Sequence, residues 1–550
     1  MPRLSKTMLG VPIVELIGAW VIAFVAAVIS FLIYGATAND DVYITLSAAR
    51  AFATNGLFSN LNGDPIEQST TLLQVLMLTP FAAVLGPAQL PTAAWVIAIG
   101  FYVLTIVVSF VILRRSASRA VAFAGVVMVA LVPSLSYWSM SGMEVSLTIF
   151  LVLCLILWVD VMVASGRASL QHVGVRDFAM VVFGAMLVLL TFAARPDVGL
   201  YSFAAVTVFF VLDVAVSRRW RVPLLWWGVS LLFLAGLTAV RRSFTGQILP
   251  QSVIAKSGRP WSDRLDEGWS YLTDSFGGLW FPAALMGLVF VALLRPPAIA
   301  RHRLALLLSF WVAALFGVIV SAGDWMPFGR FLVPLQVLTI LLLLVSVVGL
   351  LPGQKVIVLS AVVVPMLFVS LDQVRNGRGS PLFDRYQLQT VDEYKRWSAA
   401  DTRFNRWNGV HHRDLLFLEQ AVPVIREHLD EQSTITIGSR QAGMVAYYLR
   451  EEFGDQIRFI DQWGLSTSDF NCADARTNRF GTLVDEELWL ATAGGCSPPL
   501  PDLVFGISRH FENFGDAYTV LVDIETVLER EARRTRPTGW LVARSDLVVR

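Results

Sequence analysis

Runs of mostly apolar residues, long enough to cross a bilayer, recur along the first two thirds of the chain. No other feature narrows the choice of fold as much. A spanning helix needs about 20 such residues. On that criterion spans are expected at roughly 12–34, 93–113, 120–138, 145–164, 178–194, 199–216, 222–240, 276–294, 304–321, 331–350 and 355–371. The composition agrees: 55% of the 550 residues are hydrophobic, 15% are charged, and the mean hydropathy is +0.62. The expected fold class is a polytopic α-helical membrane protein. The first run follows Arg3 and Lys6 and lacks a small-residue cleavage site, so it reads as a retained span.

The run 70–86 is apolar but short. If it crossed, the basic loop Arg114 to Arg119 would face outwards and every later loop would flip. If it is a juxtamembrane or re-entrant helix, the basic loops 114–119, 167–176, 218–221 and 295–303, and Lys355, all face the cytoplasm, as the positive-inside rule asks. The second reading gives eleven spans, the N-terminus inside and the C-terminus outside. The expected domains are a transmembrane part, 1–371, and an extracytoplasmic C-terminal part, 372–550, joined by the linker-like Arg375 to Pro381. Short strands are expected at 434–438, 457–460, 503–505, 518–522 and 540–543, with a helix over 441–450, so the C-terminal part reads as a soluble α/β domain. Gly438 to Gly443, at a strand–helix junction, is a weak phosphate-turn candidate.

With a net charge of +1, the balance of charge gives no pull towards nucleic acid. P-loop, HExxH and CxxC motifs are lacking, which argues against a nucleotide-driven motor or a zinc hydrolase. Cys154 lies in an apolar run. Cys472 and Cys496 lie in the polar C-terminal part. A disulfide between them is one reading if that part meets an oxidising compartment, and two free thiols are the other.

Asn39-Asp40-Asp41 directly follows the first span. Adjacent carboxylates beside hydrocarbon are costly, and at the membrane edge they point to a functional site. In the expected topology the other unusual polar residues share their face: Gly142-Met143-Glu144, Arg195-Pro196-Asp197, Arg241 through Lys256, and Gly323 through Arg330. Cations kept outside against the positive-inside trend fit an anionic ligand.

These stretches carry a resemblance. Asp40-Asp41-Val42-Tyr43-Ile44, Ser141-Gly142-Met143-Glu144, Arg195-Pro196-Asp197, Leu249-Pro250-Gln251-Ser252 with Lys256, and Gly323-Asp324-Trp325-Met326-Pro327 with Arg330 resemble GT-C fold glycosyltransferases. Among these the chain looks most like the AftB-type terminal arabinofuranosyltransferases of mycobacteria and corynebacteria. It departs from them at Val42, at Ser47 to Arg50 and at Gln68 to Thr71, which puts the acceptor in question more than the reaction.

The resemblance implies transfer of arabinofuranose from decaprenyl-phosphoryl-arabinose to arabinogalactan or lipoarabinomannan, at the extracytoplasmic side of a bacterial cell membrane. Asp40 is then the expected base, with Asp41 sharing the role or orienting the sugar. Partial desolvation raises the proton affinity of a carboxylate, which suits it to accept the acceptor's proton. Arg330, Lys256, Arg241, Arg242 and Arg195 are the expected ligands of the leaving phosphate. Glu144, Glu67, Tyr43, Asp324, Trp325 and Gln251 are expected to contact substrate. No metal is required. A divalent cation on Asp40, Asp41 and Glu144 is an open alternative. The same chemistry with mannose, glucose or aminoarabinose, and a transporter of lipid-linked sugar, are the competing readings.

Overall fold

The computed structural model describes residues 7–8, 10–36, 39–56, 58–164, 174–217, 220–256, 260–275, 298–323, 329–347, 412–439, 443–461, 502–507, 518–523 and 539–544. The expected spans 276–294 and 355–371 lie outside them, as do Cys472, Cys496, Asp324 and Trp325.

Seven described helices are long and apolar enough to cross a membrane. They are α1 (Ile13–Tyr34), α4 (Leu90–Arg114), α7 (Val145–Ala164), α8 (Val175–Ala194), α9 (Pro196–Ser217), α10 (Arg221–Thr245) and α13 (Ala298–Val320), while α12 (Trp261–Ser275) and α14 (Val333–Val347), the latter within the expected span 331–350, are shorter. The expected span 120–138 is instead two helices, α5 (Arg119–Ala130) and α6 (Pro133–Ser139), bent by 59°. Pro133 lacks an N–H and begins the second helix, so the backbone ladder cannot run through it. The run 70–86 forms only α3 (Leu72–Val84), 13 residues long. At 1.5 Å per residue that is about 20 Å, too short for a hydrocarbon core of about 30 Å.

The described chain forms two compact units. The first takes residues 1–35, 95–236 and 261–394, and holds most of the long helices. Within it, α1 turns Val14, Phe24 and Leu32 outwards, as a lipid-facing helix does, while nearly all of α7 is buried. Charges gather at the two ends of α7. At one end Asp160 accepts hydrogen bonds from Arg115 and Arg303, both at 2.6 Å, and Arg114 pairs with Glu15 at 2.6 Å. At the other end Glu144 precedes the helix. Sixteen residues of helix separate the two carboxylates, about 24 Å.

The second unit takes residues 36–94, 237–260 and 395–550. It contains α2 (Asp40–Asn55), α3, α11 (Gln251–Lys256), α15 (His412–Glu431), α16 (Met444–Phe453) and a five-stranded sheet. The strands are β1 (Ile435–Ser439), β2 (Ile457–Asp461), β3 (Leu503–Ile507), β4 (Tyr518–Asp523) and β5 (Gly539–Arg544), in the order β2-β1-β3-β5-β4. Strands β2, β1 and β3 are parallel, and β5 is antiparallel to both β3 and β4. All five expected strands are present, each within a residue or two of its expected bounds. At edge strand β2, Asn62 imitates a neighbouring strand. Its amide donates to the Phe459 carbonyl at 2.7 Å and accepts from the Phe459 N–H at 2.8 Å.

Candidate active site

In the second unit, Asp40 opens α2 as a buried residue, and its carboxylate reaches the start of α16. Its Oδ1 accepts the Met444 N–H at 2.6 Å, and its Oδ2 accepts the Gly443 N–H at 3.1 Å. The N–H groups at a helix start lack intrahelical acceptors and attract an anion. The glycine-rich turn weakly read as a phosphate site thus receives a carboxylate of this same chain. A Cβ on Gly443 would lie 1.9 Å from the Asp40 carbonyl oxygen, so only glycine fits. Asp41, next along α2, is half-buried. Tyr43 is fully buried against Tyr447 and Tyr448, with ring centroids 5.4 and 5.6 Å away.

Glu67 and Arg241 form a buried bidentate pair, at 2.7 and 3.2 Å, with 5% and 2% of their surfaces exposed. Burial raises the Glu67 pKa above the ordinary glutamate value; the charge and hydrogen bonds of Arg241 lower it, and burial wins. Gln251 donates its backbone N–H to the Glu67 carbonyl at 2.9 Å, and its side chain accepts from Gln247 at 3.1 Å. Arg242 is exposed. Lys256 ends α11, and its side chain lies outside the described residues.

In the first unit, three expected residues meet. Arg195, at the junction of α8 and α9, bonds Asp197 at 2.8 and 3.1 Å and Glu144 at 3.4 Å. Its guanidinium lies over the Phe331 ring, 4.3 Å from the centroid. Arg330, buried in the 3-10 turn Arg330–Leu332, lies 5.2 Å from the Phe331 ring, 5.6 Å from the Trp138 ring and 3.7 Å from the Met143 sulfur. The Phe331 N–H donates to the Tyr271 hydroxyl at 3.2 Å. A small cavity lies here, lined by Arg195, Asp197, Tyr201, Ser321, Arg330 and Phe331 among others. Trp138 and Tyr201 were not among the expected residues. Tyr201 follows Asp197 by four positions, one helical turn, and that spacing was the available signal. Trp138 gave none.

Among the described residues no three His, Cys, Asp or Glu side chains form a set fit to hold a metal ion. Glu144 bonds Arg195, and Asp40 binds the start of α16.

This architecture is the GT-C membrane fold: long apolar helices, short helices such as α2 and α3, and a C-terminal α/β domain. Among solved structures, the chain is similar to ArnT from Cupriavidus metallidurans bound to undecaprenyl phosphate. The TM-score is 0.54 at 12% identity, over 97% of this chain and 99% of that one. The apo state of the same protein gives 0.53 at 13% identity, over 97% and 98%. No family model matches the sequence. No curated protein matches it.

Proposed function

We propose that this protein is a membrane glycosyltransferase that takes a sugar from a polyprenyl phosphate at the extracytoplasmic face of a bacterial cell membrane. The observation that carries the reading is the cavity lined by two buried guanidinium groups, those of Arg195 and Arg330. It occurs in a chain whose fold is shared, over nearly its whole length, with a protein solved with undecaprenyl phosphate bound.

The reaction places an acceptor hydroxyl oxygen on the anomeric carbon. The bond from that carbon to the phosphate oxygen breaks, and the polyprenyl phosphate leaves with the bonding pair. Negative charge grows on the phosphate as the bond breaks, so a buried cation stabilises the transition state more than the ground state. Arg330 suits this role, with aromatic rings and a thioether around it. Arg195 is held between Asp197 and Glu144 and serves mainly to fix the cavity wall. The hydroxyl's proton goes to the aspartate pair. Asp40 is the proposed base, and Asp41 shares the role or orients the sugar.

The sugar we propose is arabinofuranose, carried on decaprenyl phosphate and delivered to arabinogalactan or lipoarabinomannan. This rests on the sequence resemblance of the outer segments. The likeness to ArnT favours a second reading, the same transfer with another polyprenyl-phosphate sugar. A transfer assay decides: purified protein, a panel of polyprenyl-phosphate sugars, and an arabinan acceptor. Arabinose incorporation lost in Asp41→Asn supports the first reading. Turnover of a different sugar supports the second, and no transfer from any donor refutes both.

A further inference from the structure

We propose that the Tyr201 hydroxyl is a further ligand of the donor's phosphate, an inference that rests on the function proposed above. Tyr201 lines the cavity beside Arg195, Asp197 and Arg330. The residue is only 9% exposed, and its hydroxyl is buried without a hydrogen-bond partner among the described residues. Buried polar groups in folded proteins nearly always have a partner, so an orphan hydroxyl in a cavity wall points to something that enters the cavity.

The neighbouring groups indicate the kind of partner. Among the described residues here, the carboxylates of Asp197 and Glu144 are engaged by Arg195. The hydroxyl protons of Ser321 and Thr148 are committed to the Val318 and Glu144 carbonyls. The indole N–H of Trp138, whose ring lies 5.6 Å from the Arg330 guanidinium, is also buried without a partner among the described residues. The Tyr201 O–H and Trp138 N–H therefore await an acceptor in the neighbourhood of two guanidinium groups. An anion with several acceptor oxygens satisfies such a set, and a phosphate is one.

The ring is also held in place. A Cβ on Gly317 of α13 would come within 2.7 Å of the Tyr201 Cδ1, so the glycine lets the ring lie directly against that helix. A donor fixed before its ligand arrives loses little freedom on binding.

Tyr201→Phe removes the oxygen and keeps the ring. The test measures binding of undecaprenyl phosphate to the full chain in detergent, with undecaprenol as the uncharged comparator. Loss of one hydrogen bond to a charged group should weaken phosphate binding roughly tenfold. Undecaprenol binding and the melting midpoint should not change. Equal phosphate affinity in Tyr201→Phe and wild type, with weaker binding in Arg330→Ala, overturns the inference and leaves the proposed function standing. A similar loss for both lipids overturns it too, because that is a packing effect. A wild-type protein that does not prefer the phosphate over the alcohol overturns both the inference and the function.

Discussion

The Asp40 Oδ1 accepts the Met444 N–H at 2.6 Å, joining residues 404 positions apart. One carboxylate therefore opens α2 and also caps the start of α16. Removing it should destabilise the second unit, because two helix-start N–H groups lose a charged acceptor. We expect Asp40→Ala to cost about 2 kcal/mol, read as a lower melting midpoint in detergent. Asp41→Asn should abolish transfer. A melt of Asp40→Ala that matches wild type would show that the cap does not support the fold.

Gly443→Ala probes the same junction from the other side. The new Cβ would sit 1.9 Å from the Asp40 carbonyl oxygen and 2.9 Å from its carboxylate carbon. Backbone has to move, at a cost of about 3 kcal/mol. Gly228→Ala in α10, where a Cβ meets nothing within 4 Å, is the control and should be neutral or slightly stabilising. Equal melts for the two variants would refute the close approach.

Much of this architecture could be read from the chain, because membrane length and β-alternation are properties of single segments. The bounds of α1, α7 and α8 follow from their apolar runs, and the five short strands from their β-branched runs. The break at Pro133 was legible in principle, yet the apolar run hid it. Residue types told which positions were worth attention: Glu144, Arg195 and Arg330 do meet. They did not tell how charges pair. Arg241 looked like a phosphate ligand and is bound to Glu67, while Asp40 binds a helix start over four hundred residues away. Such pairings depend on tertiary placement, which neither periodicity nor composition encodes.

Glu67 should leave a mark on the pH dependence of stability. Its folded pKa is raised, chiefly by burial, so the folded state holds the proton more tightly than the unfolded chain. The stabilisation is fully present below the unfolded glutamate's pKa, about 4.3, and is lost as pH rises through the higher folded value. Wild type should lose stability across that window relative to Glu67→Gln, which cannot titrate there. Parallel pH profiles, or a wild type that gains on Glu67→Gln as pH rises, would mean that the Arg241 ion pair outweighs burial.

Helix α3 has 13 residues, about 20 Å, and cannot cross the hydrocarbon core alone. If it stays on one face, α4 is the next crossing after α1, and it ends in Arg114 with Arg115 beside it and Arg119 just beyond. Arg303 joins Arg115 at Asp160, so these basic residues collect at one end of the first unit. By the positive-inside rule that end is expected to be cytoplasmic. A cysteine at the exposed position 120 should then resist a membrane-impermeant maleimide in intact cells and react after permeabilisation. A cysteine at the exposed position 89 should react without permeabilisation. Labelling of position 120 in intact cells would reverse the topology. It would also move Glu144, Arg195 and Arg330 to the cytoplasmic face, where a donor presented outside the cell could not reach them.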